Sequence, residues 1–87
     1  MVHKVIKFYA TWCGPCKVYA KTFDKVAEEY RDSVIFSSLN VEKEGKELAK
    51  KYNIQAIPTT VFIREGQPDE VVPGNIPLND LKDKIDA

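Results

Sequence analysis

The sequence predicts an α/β domain in which a mixed four-stranded sheet carries helices on both faces. Three observations carry that prediction. Short β-branched or aromatic runs alternate with segments whose apolar residues recur every three or four positions, in the order β-α-β-α-β-β-α. The chain opens strand–helix–strand, which calls for a right-handed parallel crossover. The last two strands are separated by Glu65-Gly66-Gln67-Pro68, a turn short enough to make them antiparallel.

The first strand is Val2–Tyr9, too apolar for a half-exposed edge and suited to a central position. A helix follows from Pro15 to about Arg31, with Cys16, Tyr19, Phe23, Val26 and Tyr30 forming one apolar stripe. Pro15 suits the first turn, where its missing N–H leaves no bond unmade. Val34–Val41 is a second strand, softened by Ser37 and Ser38. Lys43–Tyr52 reads as a short helix presenting Leu48, Ala49 and Tyr52, with Asn53 as its stop. Its Lys and Glu residues, Glu42, Lys43, Glu44, Lys46 and Glu47 among them, read as a solvated face. Thr59–Arg64 is a strongly β-branched strand, and a shorter one ends near Val72 before Pro73-Gly74 breaks the chain. A last amphipathic helix, from about Pro77 to Ile85, shows Leu78, Leu81 and Ile85 on one side.

The 87 residues predict a single domain spanning residues 1–87. Acidic and basic residues balance at 13 each, so no net field draws the chain to nucleic acid or to an anionic membrane, and neither is expected as a partner. The N-terminus is too interrupted by Lys for a signal-peptide apolar region, and no apolar stretch is long enough to span a bilayer. A cytoplasmic location is therefore expected, where closely spaced cysteines read as catalytic or metal-binding rather than as a structural staple.

Those cysteines are the chemical centre of the sequence. Thiol–disulfide exchange needs a thiolate to attack and a second thiol near enough to displace the mixed disulfide. Cys13-Gly14-Pro15-Cys16, at a strand-to-helix junction, supplies both. Cys13 falls at the helix N-terminus, where the dipole and free N–H groups favour its thiolate, and is expected to be open to solvent. Cys16 lies one turn in and faces the core. Trp12 offers a flat apolar surface to a partner chain. A metal site is the competing reading, but tetrahedral zinc needs four ligands and the chain adds only His3, at the far end of the first strand. No metal and no cofactor are expected.

Trp12-Cys13-Gly14-Pro15-Cys16-Lys17 resembles the active-site box of thioredoxins, Ala56-Ile57-Pro58-Thr59 resembles their cis-proline loop, and Gly74 falls where the family has a glycine lining the substrate groove. The resemblance spans essentially the whole chain and implies a thioredoxin fold and a protein-disulfide reductase. In that reading Cys13 attacks, Cys16 resolves, and Trp12, Gly14, Pro15, Ile57, Pro58 and Gly74 bind substrate. Pro58 in the cis form would set the backbone of Ile57 against the substrate. The implied partners are protein disulfides, ribonucleotide reductase among the candidates, and thioredoxin reductase or the glutathione system as electron donor; a monomer is expected.

The sequence departs from the family in two ways that matter. Members usually carry a further strand and helix before the strand that feeds the cysteines, which here starts at residue 2; the Val34–Val41 strand is then expected at a sheet edge, where Ser37, Ser38 and Asn40 discourage pairing with other chains. Six residues before the first cysteine the family typically has a buried Asp that moves protons for the resolving thiol. Lys7 stands there, and Ser38 aligns with the lysine that usually partners that Asp. Lys7 either assists Cys16, electrostatically or as a neutral base, or snorkels to water. Two other functions compete. One is a glutaredoxin-like, glutathione-coupled reductant, which the short length favours and the Cys-Gly-Pro-Cys box disfavours. The other is a non-catalytic module that holds a partner in the groove around Trp12, Ile57 and Gly74.

Overall fold

A computed structural model describes residues 1–87. The elements run β1 (Lys4–Tyr9), α1 (Gly14–Tyr30), β2 (Ile35–Asn40), α2 (Lys46–Lys51), β3 (Thr59–Ile63), β4 (Glu70–Pro73) and α3 (Leu78–Asp86). The element order is the one the hydrophobic periodicity predicts. The strands form one sheet in the order β2-β1-β3-β4, with β1 parallel to β2 and antiparallel to β3, and β3 antiparallel to β4. The apolar β1 is thus central, and β2 lies at an edge with Ile35 60% exposed.

Strand alternation sorts the side chains onto two faces. On one face Val2 and Val5 join Phe62, the α1 stripe Tyr19, Phe23 and Val26, and Leu81 and Ile85 from α3. On the other, Ile6, Phe8 and Val61 pack under Leu48, Ala49 and Tyr52 of the α2 segment. Helices therefore cover both faces, α1 and α3 one and α2 the other. Aromatic edge-to-face contact tightens the α1 side, where the rings of Phe23 and Phe36 are 5.6 Å apart at 80°.

The second helix is shorter than its charge pattern predicts, and residues 42–45 are turn. The Asn40 side-chain oxygen accepts from the Glu42 backbone N–H at 2.8 Å, and the Glu44 carboxylate accepts from the Asn40 N–H at 2.7 Å. These short side-chain bonds outcompete a helical start, as Asn and its neighbours often do at element ends. Gly45 then passes so close to β2 that an added Cβ would sit 2.8 Å from that of Leu39. At the far end Asn53 takes φ 54°, a left-handed conformation that Asn tolerates and that stops α2.

Candidate redox site

The sheet register assembles the site. Strand β1 ends at Tyr9, and its antiparallel neighbour β3 starts at Thr59, paired with Phe8. Pro58, immediately before β3, therefore arrives beside the segment that leads from β1 into α1. The Ile57–Pro58 peptide bond is cis. Strand β4 ends at Pro73, paired with Thr59, and the Gly74 N–H donates to the Pro58 carbonyl at 2.8 Å. Gly74 takes φ 91°, which a side-chain-bearing residue rarely adopts. Three separate stretches of chain thus converge on one end of the sheet.

Cys13 is the N-cap of α1, in extended backbone, and Pro15 occupies the first turn. The Cys13 Sγ accepts from the Cys16 backbone N–H at 3.2 Å, using one of the donors that a helix start leaves unpaired. Cys13 and Cys16 are joined in a disulfide, with Cα atoms 5.2 Å apart. Negative charge developing on the Cys13 sulfur after reduction would meet that N–H and the positive end of the helix dipole.

Cys13 is more covered than the sequence leads one to expect. It is 5% exposed and Cys16 3% exposed, the pair packing with Ala10 under Tyr9, Val41 and Ile57. The Cys13 sulfur also lies 3.8 Å from the Ile57 carbonyl oxygen. The converging loops cover what an isolated helix terminus would leave open.

Trp12, by contrast, is 67% exposed and projects beside the pair. Its indole N–H donates to the Glu42 carboxylate at 3.1 Å. Trp12 and Ile57 line one apolar cavity of about 210 Å³ with Val41, Ala49, Ile54 and Ala56. Gly14 and Pro15 are exposed at the helix mouth, and an added Cβ at Gly14 would meet nothing. Pro58 is buried, and Ile57 and Gly74 are half-buried around it. His3 lies before the opposite end of β1 from the cysteines, away from the site.

Glu42 is the residue that sequence reasoning missed. It reads as one of a run of surface charges, yet it holds the one large apolar side chain exposed beside the cysteines. The signal that would have found it is Asn40-x-Glu42-x-Glu44-Gly45, a strand end followed by a turn-forming set.

Lys7 is buried, 5% exposed, on the α1 face of β1. Its Nζ sits 5.0 Å from the Phe23 ring centroid and 5.5 Å from that of Tyr9. It lines a cavity of about 260 Å³ together with Tyr9, Ala10, Thr11, Cys16, Lys17 and Ala20. Burial pulls its amine below the usual lysine range, opposed in part by the charge of Asp24.

Comparison with known proteins agrees with this geometry. The family model described as Thioredoxin matches residues 2–87. The chain is 38% identical to a chloroplastic M-type thioredoxin of Spinacia oleracea over 82 residues, covering 94% of this chain and 45% of that protein. It is 38% identical to a thioredoxin of Mycoplasmoides gallisepticum over 81 residues, covering 93% of this chain and 79% of that one. The chain thus spans about half the length of the spinach relative and four fifths of the bacterial one. Among solved structures, chloroplastic thioredoxin z superposes with a TM-score of 0.84 at 30% identity, over 95% of this chain and 74% of that one. The germline-specific thioredoxin Deadhead of Drosophila melanogaster gives 0.83 at 31% identity, over 95% and 77%.

Proposed function

Because the chain belongs to the thioredoxin family, we propose that it is a thiol–disulfide oxidoreductase that reduces protein disulfides through Cys13 and Cys16. One observation carries the reading: the two sulfurs are bonded at the mouth of α1, with the Cys16 N–H directed at the Cys13 sulfur. In the reduced protein Cys13 ionises at the helix N-terminus and attacks a substrate disulfide. A mixed disulfide forms and the first substrate thiolate leaves. Cys16 then attacks the Cys13 sulfur, the second substrate thiolate leaves, and the intramolecular disulfide remains.

Substrate docking falls to the surface between Trp12, Ile57 and Gly74, supported by the apolar cavity beside Trp12 and the hydrogen bond from Gly74 to the Pro58 carbonyl. Because Cys13 is nearly covered, its target sulfur has to be carried in on an extended segment laid into that groove. Regeneration of the dithiol calls for a reducing compartment, the cytosol being our assignment, and for a donor such as a thioredoxin reductase. No helix is long and apolar enough to cross a membrane.

Reduction of insulin disulfides by dithiothreitol, followed by turbidity, tests the reading. The wild-type chain accelerates precipitation and Cys13→Ser does not. Equal rates for the two would leave a binding module and not an enzyme.

A further inference from the structure

Lys7 is a buried lysine with no carboxylate on it: no salt bridge and no hydrogen bond engages its Nζ, and its neighbours are the rings of Phe23 and Tyr9. Buried amines are ordinarily paired, because an unpaired ammonium out of water is strongly disfavoured. No side-chain nitrogen or oxygen of the molecule is wholly enclosed without a hydrogen-bond partner. The unbonded Nζ is therefore where Lys7 keeps its remaining contact with solvent. The one cavity that Lys7 lines, of about 260 Å³, lies between the end of β1 and the first turns of α1. A cation without a counter-ion is thus turned into a space with room for one. We propose that this cavity binds a small organic carboxylate, paired by Lys7 at its inner end and by Lys17 at its mouth.

The lining fits that class of ligand. Lys17 is exposed and adds a second cation, Thr11 adds a hydroxyl, and no carboxylate lines the cavity. The remaining wall is Ala10, Ala20, the Tyr9 side chain and Cys16, an apolar surface for a short carbon tail. Inorganic phosphate carries more charge into the same space and has no tail to bury, so it loses more hydration for less contact. Trp12, Ile57 and Gly74 are absent from this lining, so the occupant is a free small molecule and not part of a protein docked at the cysteines. The charged and titratable groups around the Lys7 amine are Tyr9 on its own strand and Lys17 and Asp24 on α1. The flanking strands place Ser38 and Thr60 at its register, and neither ionises. Asp24 acts on Lys7 through its charge but only partly offsets the burial that lowers the basicity of the amine. A bound carboxylate opposes that burial directly, so binding and protonation of Lys7 reinforce each other.

The site stands apart from the redox reading, and its test uses the oxidised full chain, in which no turnover occurs. Sodium propionate is titrated in at neutral pH, with sodium chloride at equal ionic strength as control, and carbon-detected spectra are recorded. The Lys7 Cε and Ala20 Cβ signals should move saturably, with Kd on the order of 1 mM, and chloride should not reproduce the change. Lys7→Met should weaken propionate at least about tenfold, and Lys17→Met, at the exposed mouth, only a few-fold. In the wild type, saturating propionate should move the Lys7 Cε titration midpoint to higher pH, a readout that needs no variant to fold. Absence of saturation, equal affinity in Lys7→Met, or an unmoved midpoint overturns the proposal. Phosphate binding more tightly than propionate overturns the carboxylate assignment.

Discussion

The hydroxyls of Tyr19 and Thr60 lie 2.7 Å apart in the buried layer between α1 and β3, both residues fully inaccessible. Each polar group satisfies the other where no water reaches. Tyr19→Phe removes one and leaves the Thr60 hydroxyl alone, which costs the desolvation of an unmatched group, about 1–3 kcal/mol. Chemical denaturation should show that loss. The double variant Tyr19→Phe/Thr60→Val should recover part of it, because neither partner is then stranded.

Lys7 predicts a pH effect of definite sign on stability. Its folded-state amine lies below the ordinary value of 10.5, so between those two values the unfolded chain binds the extra proton and stability rises with pH. Lys7→Met should therefore be more stable than wild type at neutral pH, with the gap closing as pH approaches 10.5. Denaturation midpoints at neutral and alkaline pH check this.

Glu70 predicts a slope of the same sign at the acid end, for a different reason. Its carboxylate accepts from Lys84 at 2.7 Å and from Arg64 at 3.0 Å, and these bonds hold it below its ordinary 4.5. The stabilisation is complete above 4.5 and is lost as pH falls through the lowered folded value. Glu70→Gln should lose a few tenths to about 1 kcal/mol at neutral pH, modest because the side chain is partly solvated, and should match wild type in strong acid.

The Glu42–Trp12 bond predicts a docking effect without a chemical one. Glu42→Ala frees the indole to rotate, so ordering it on binding then costs about 0.5–1.5 kcal/mol. The KM for a protein disulfide should rise a few-fold, while the rate of Cys13 with a small aromatic disulfide stays the same. Equal KM values would remove Glu42 from substrate positioning.

Gly45→Ala predicts damage through space rather than through conformation. The backbone φ of −90° suits any residue, but the new methyl would lie 2.8 Å from the Leu39 Cβ and 2.9 Å from the Asn40 carbonyl oxygen. Relieving that contact should cost about 1–3 kcal/mol and shift the turn that carries Glu42. Tm and the KM for a protein disulfide should therefore change together.

Much of this was legible in the chain itself. The apolar run of β1 marks a central strand, the stripe from Cys16 to Tyr30 marks α1, and β2 lies at the edge where the sequence places it. The cysteine box stood out because its spacing at a strand–helix junction has chemical meaning. What escaped was whatever depends on contacts between distant segments. The onset of α2 moved from Lys43 to Lys46 because Asn40 and Glu44 bond across a strand end, which propensity does not register. The low exposure of Cys13 comes from loops more than 25 residues away in sequence, Val41 and Ile57 among them. The rings around Lys7 come from another element and from its own strand two residues on, so its burial appears only once α1 is docked.

Trp12 also makes the chain self-reporting. It is the single tryptophan, adjacent in sequence to the bonded cysteines and tethered at one point to Glu42. A disulfide drains the excited state of a nearby indole, so fluorescence should brighten when the sulfur–sulfur bond opens. Every cycle of oxidation and reduction is then visible in the light from one ring, without a dye, a label or a coupled assay.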